Sequence, residues 1–149
     1  MSSVFKSMNI SSSGLAAQRL RMNVLSSNLA NAQTTKVEGQ EGPYKRKDVV
    51  FSAVPEAGIG SFESFLDDAH QTQLSKVKVV QLHEDNKDPR RVYDPSHPDA
   101  DQSGYISLPN IDVMSEMVNM ITATRSYEAN VTAMNNAKQM ALKALEIGR

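Results

Sequence analysis

Cysteine and tryptophan are absent, and only four Phe and four Tyr occur among the 149 residues. Without cysteine there is no disulfide, no thiolate metal site and no cysteine nucleophile. The shortage of aromatics removes the usual anchors of a small, dense core. Neither charge sign is in excess: 16 basic residues face 17 acidic ones, for a net of -1. That excludes a general nucleic-acid binder, which needs a basic face to meet phosphates. The local run Lys45, Arg46, Lys47 is followed at once by Asp48 and reads as a solvated strand edge. No stretch approaches the roughly 20 apolar residues of a membrane-spanning helix, so direct membrane insertion is not expected. The opening residues lack both a charged n-region and a continuous apolar h-region, so no Sec-type signal is expected either.

What the chain does have is methionine, eight residues in all, and Met fills irregular helix–helix seams adaptably. Over residues 3–33, Val4, Met8, Leu15, Met22, Leu25, Leu29 and Ala32 fall on one helical stripe. Met8, Leu15, Met22 and Leu29 repeat every seven residues, the spacing of a coiled-coil seam. Ser11 and Gln18 occupy the second apolar row, and Gly14 lowers helix propensity, so the seam reads as weak. A second helix is predicted after Pro109, with Asn110 as N-cap and Asp112 at the positive helix start. From Met114 to Leu145 its apolar residues step by three or four, and Gly148 ends it.

Between the helices Pro, Gly and Asp become frequent. Val49-Val50-Phe51, Val77 to Val80, Val92-Tyr93 and Tyr105-Ile106 read as strands. Pro55 to Gly60 reads as a turn and Ser61 to His70 as a short helix, while Asp94 to Asp99 is a rigid non-helical connection. The expected fold is α+β: long N- and C-terminal helices paired as a coiled-coil-like hairpin, with a small β-rich domain inserted between them. The divisions fall at residues 1–35, 36–109 and 110–149. Two paired helices still leave apolar stripe uncovered, and neighbouring copies are the simplest cover.

Catalytic chemistry finds no foothold in the pattern. His70, His83 and His97 are scattered, and no zinc, calcium, P-loop, Rossmann or nucleophile-elbow motif occurs. His97-Pro98-Asp99-Ala100-Asp101 offers oxygen ligands, but the same carboxylates read more simply as solvated loop charges. Gly58-Ile59-Gly60 is too short to cradle a phosphate, and Asp67-Asp68 reads as exposed helix charge. No catalytic, cofactor-binding or metal residue is assigned, and no cofactor is expected.

Three stretches resemble the flagellar rod and hook proteins. Ser26-Ser27-Asn28-Leu29-Ala30-Asn31-Ala32-Gln33-Thr34-Thr35, with Ser12 to Gln18 upstream, is similar to that family's N-terminal signature. Glu116 to Ile121, followed by Arg125-Ser126-Tyr127-Glu128-Ala129-Asn130, is similar to its C-terminal signature. Tyr93 to Asp101, then Gly104-Tyr105 and Pro109 to Asp112, resembles the family's proximal-rod subunits. The resemblance covers both terminal helices and the lead-in to the second, about half the chain, while residues 52–75 match nothing in it.

This resemblance implies a non-enzymatic structural subunit. Such subunits leave the cytoplasm through the flagellar type III export apparatus and stack helically into the hollow rod. The rod transmits motor torque through the periplasm and lets exported subunits pass. Implied partners are copies of the chain itself, other rod subunits, basal-body ring or adaptor proteins, and the export apparatus. The implied assembly residues are Met22, Leu25, Asn28, Leu29 and Asn31 on the first helix. On the last they are Met117, Ile121, Tyr127, Asn130, Val131 and Met134. Asn28 and Asn31 suit a polar seam that fixes register, while Asn31 equally suits a helix end. The competing readings are another axial subunit of the same family and a cytosolic coiled-coil adaptor, which would be a stable helical dimer when purified alone.

Overall fold

Residues 2–39, 42–55 and 75–147 are described by the computed structural model of the chain. In order they form α1 (Ser2–Ala30), β1 (Lys47–Pro55), β2 (Ser75–Glu84), β3 (Arg90–Tyr93), β4 (Tyr105–Leu108) and α2 (Val113–Ile147). The class is α+β, and each of the four expected strand segments lies within one of these strands. The expected turn after Pro55, the short helix at Ser61–His70 and the stop at Gly148 lie outside the described residues.

Both long helices end on side-chain chemistry where it can be seen. At the end of α1, Asn31 donates its backbone N–H (3.0 Å) and its Nδ2 (2.9 Å) to the Ser27 carbonyl. Thr34 Oγ1 donates to Asn31 Oδ1 at 3.1 Å. No described non-glycine residue has a positive φ, so Asn31 closes the helix with its amide and not as a left-handed cap. At the start of α2 the N-cap is Asp112 and not Asn110. Asp112 Oδ1 accepts the Met114 N–H at 3.2 Å, and Oδ2 accepts Ser115 Oγ–H at 2.7 Å. At 35 residues, α2 is about 50 Å long.

The strands make two separate two-stranded sheets. β3 and β4 are antiparallel, pairing Arg90 with Leu108 through to Tyr93 with Tyr105. The end of β2 meets the start of β1, where Asp85 N–H donates to the Arg46 carbonyl at 2.8 Å and Lys47 lies 3.5 Å from Glu84. Isolated two-stranded ribbons are marginal in water, so each needs side chains from elsewhere to hold it.

Two units are distinguishable. One gathers the described residues of Met1–Arg19, Phe51–Val80 and Thr124–Arg149. Its buried positions are small: Ser11, Gly14 and Ala17 on α1, and Ala137 on α2. A Cβ built on Gly14 would stand 3.1 Å from the Asn130 amide. Gly14, one of the positions that read as weakness in the seam, is therefore a point where α1 comes close to α2, because the missing side chain permits close approach. Met8, Leu15, Met22 and Leu29 are only half-buried. In the same unit Ser13 Oγ accepts the Val77 N–H at 3.1 Å and donates to the Ile10 carbonyl at 2.7 Å, tying β2 to α1.

The other unit gathers Leu20–Val50 and Gln81–Ala123. Val24, Leu25, Val49, Ile106 and Ala123 are buried there, and so are Asn28 and Glu116.

Candidate assembly site

In the second unit the largest fully buried side chains are polar. Asn28 is 0% exposed and Glu116 1%. Unpaired polar groups at that depth are costly, but here the amide of Asn28 is fully used. Its Nδ2 donates to the Lys47 carbonyl at 2.7 Å and to Glu116 Oε2 at 3.0 Å. Its Oδ1 accepts the Lys47 N–H at 3.0 Å and the Tyr44 hydroxyl at 3.2 Å. The amide thus reads both backbone groups of Lys47, as a neighbouring strand would, and has one hydrogen left for Glu116.

The other oxygen of Glu116 accepts Arg46 Nε at 2.7 Å, and Arg46 Nη1 reaches Asp48 at 3.2 Å. Burial draws the Arg46 pKa down, but Glu116 and then Asp48 outweigh it and hold the guanidinium above its ordinary value. Glu116 also sits in the first turn of α2, where the helix dipole favours a carboxylate. Arg46 was expected at a solvated edge; it is instead the counterion of a buried acid. The end of α1, the start of β1 and the first turn of α2 meet in this one cluster.

The Asp-Pro-Ser-His-Pro stretch forms the loop between β3 and β4. Asp94 Oδ1 accepts the Ser96 N–H at 3.1 Å, and His97 Nδ1 accepts the Asp99 N–H at 3.1 Å. Asp101 Oδ1 accepts the N–H groups of Ser103 (2.8 Å) and Tyr105 (3.0 Å). Gly104 has φ +80 and lies where a Cβ would come within 2.9 Å of the Tyr93 ring, which only glycine permits. Asp99 holds the chain leaving α1 through Thr35 Oγ1 at 2.7 Å and through Lys36 Nζ. Lys36 and then Thr35 hold the Asp99 carboxyl below the usual carboxylate range, and backbone N–H groups of Tyr105 and Ser103 do the same for Asp101. The carboxylates once open to a metal reading are committed to Lys36, Thr35 and the backbone. Among the described residues no group of three His, Cys, Asp or Glu is placed to hold a metal ion.

The surface of α2 is the reverse of its inside. Val113, Met114, Met117, Val118 and Ile121 are all exposed on its first turns, from 41% at Val113 to 70% at Met114. Of the residues singled out for assembly, Met117 and Ile121 belong to this stripe. Met22, Leu29, Asn31, Tyr127, Asn130, Val131 and Met134 are half-buried. Leu25 and Asn28 are buried within the chain, so any part they take in assembly is through the residues they hold. On α2, Asn130 Nδ2 donates to the Ser126 carbonyl at 2.9 Å. Sequence reasoning missed Glu116 as a buried residue. The available local signal was its position in the first turn of α2.

Comparison with known proteins reaches both ends of the chain. Residues 8–36 match the family model "Flagella basal body rod protein", and residues 102–147 match "Flagellar basal body rod FlgEFG protein C-terminal". These spans contain α1's exit, the first turn of α2 and Asn28 and Glu116 themselves, and both models describe flagellar basal-body rod proteins. The chain is 48% identical to the flagellar basal-body rod protein FlgC of Bacillus subtilis, with 97% of this chain and 98% of that protein covered. It is 42% identical to FlgC of Salmonella typhimurium over 95% of both chains, and 39% identical to FlgC of Borreliella burgdorferi over 97% of both. The chain belongs to the FlgC family of flagellar basal-body rod proteins. It is a structural subunit of the flagellar basal body, assembling with other rod components.

Proposed function

We propose that the subunit stacks helically with copies of itself and with other rod subunits into the hollow proximal rod. Its terminal helices, residues 1–35 and 110–149, pair as a coiled-coil-like hairpin toward the inner core, and residues 36–109 form the β-rich middle. The assembled tube transmits motor torque through the periplasm and leaves a passage for exported subunits. The chain reaches it from the cytoplasm through the flagellar type III export apparatus, meets ring or adaptor proteins of the basal body, and has no enzymatic role or cofactor.

The observation that carries this reading is the exposed stripe Val113, Met114, Met117, Val118 and Ile121. So large an apolar face on a rod-family chain calls for a protein neighbour. With it go Met22, Leu29 and Asn31 on α1, and Tyr127, Asn130, Val131 and Met134 on α2, the half-buried rims that a neighbour would finish covering. Leu25 and Asn28 act from inside the chain. The test is complementation of a strain lacking the gene. Ile121→Asp or Val131→Asp places a charge in an apolar contact, at a cost of several kcal/mol. Either variant is expected to be exported yet to leave basal bodies without rods. Normal swimming by both would refute the assignment of this face.

A further inference from the structure

At the start of α2, the fold hides an acid and shows its hydrophobic residues. Glu116 and Ala123 are the buried positions of this stretch, 1% and 0% exposed, while Met117 and Ile121 are 47% and 56% exposed. Hydrophobicity alone would turn the helix the other way. At about 100° per residue, rotation by a single position brings Met117 to where Glu116 stands and swings Ile121 onto the inner face. Something must hold the helix against that turn. Glu116 is anchored on two sides, by Arg46 Nε at 2.7 Å and by Asn28 Nδ2 at 3.0 Å. Neither partner is free to follow a rotation. Asn28 is pinned to both backbone groups of Lys47, and Arg46 is also held by Asp48.

We propose that the Asn28–Glu116–Arg46 cluster is a register lock. It sets the rotation of α2 about its own axis, and so presents the Val113–Ile121 stripe outward in the unassembled subunit. Glu116 is a positioning residue: it acts through the face it keeps exposed and does not itself meet a neighbour. A buried ion pair suits this task because its geometry is directional, whereas its net gain in stability over an apolar replacement is small or negative. The lock rests on the rod reading above only for its consequence, that neighbours find the stripe already displayed.

Because the native chain has no cysteine, single cysteines report the rotation directly in the free chain. With the lock intact, Ile121→Cys is expected to react with a maleimide severalfold faster than Ala123→Cys. In the Glu116→Met background both rotations bury an apolar residue, so the contrast is expected to flatten. In the double variant Glu116→Met/Met117→Glu the acid has moved one position. The contrast is expected to invert, with Ile121→Cys protected and Ala123→Cys reactive. Should Glu116→Met lose its helical circular dichroism, the double variant alone decides. If the parent contrast persists in the double variant, the cluster does not set the rotation and the proposal fails. Swimming by cells carrying the cysteine variants in the parent background reports separately on the rod function.

Discussion

Asn28 has no substitute among residues of its size. Aspartate keeps the shape but loses both donors, to the Lys47 carbonyl and to Glu116, and sets a second carboxylate against the buried one. Asn28→Asp is therefore expected to cost about 3–5 kcal/mol, as breaking a buried charged pair does. Asn28→Ala leaves the partners unpaired without adding charge and is expected to cost about 2–3 kcal/mol. Urea unfolding midpoints at neutral pH check the order. The gap between the two variants is expected to narrow at acid pH, where the introduced carboxyl is neutral. A second residue-scale expectation concerns Asp99, Asp101 and Asp112. Asp99 is held below the usual carboxylate range by Lys36 and Thr35, Asp101 by the Tyr105 and Ser103 amides, and Asp112 by Ser115 and the Met114 amide. A carboxyl whose folded pKa is depressed adds stability above its unfolded pKa, and that stability is lost as pH falls through the folded value. Their contribution is thus expected to be fully present above about pH 5 and to decline below about pH 4. Asp99→Asn is expected to be less stable at pH 7 and to show a shallower acid decline in unfolding midpoint against pH. An unchanged acid limb would mean that the Lys36 and Thr35 contacts contribute nothing.

At the scale of elements, Gly14 sets two effects against each other. Alanine inside a helix is favoured over glycine by about 1 kcal/mol, but its Cβ would stand 3.1 Å from the Asn130 amide. That amide is itself tied to the Ser126 carbonyl and yields only by straining its own bond. Gly14→Ala is accordingly expected to be near neutral alone and to stabilise by about 1 kcal/mol in an Asn130→Ala background. A double-mutant cycle in urea gives the coupling, and equal effects in both backgrounds would show that the close approach costs nothing. The same region marks the limit of what the sequence discloses. Helical periodicity located α1 and α2 to within a few residues, and β-branched runs located all four strands, because those signals are local. The close approach at Gly14 stayed hidden: glycine carries no hydrophobic signal, and it marks a close approach only once the opposing helix is known. Asn28 stood out through its motif. Glu116 lay in the C-terminal signature too, but its pairing with Asn28 and Arg46 did not show, because those bonds span 88 and 70 residues of chain, and nothing in local pattern joins such distances.

At the scale of the molecule the question is how one chain builds an open tube. A rod that grows needs a head-to-tail contact whose rotation does not close, so the surface offered to one neighbour differs from that offered to the next. In the assembly proposed above, two unlike helices meet that need. α1 presents small and amide side chains, with Met22 and Leu29 half-buried beside them, and α2 presents a bare stripe of Met, Val and Ile. The α2 stripe cannot be satisfied inside the chain while Glu116 occupies the inner face, so the apolar surface left over is a fixed property of the subunit. Burying it at about 25 cal/mol per Å² favours association, and the unlike partner face prevents the contact from closing on itself as a symmetric dimer would. Cysteine pairs in a chain that has none of its own can decide between these geometries. Met22→Cys combined with Ile121→Cys is expected to give ladders of linked subunits when assembled basal bodies are oxidised, and only single subunits when the free chain is oxidised at high dilution. If oxidation of assembled rods left every link within one chain, the helices would form a private hairpin, and contacts between subunits would have to come from the β-rich middle instead.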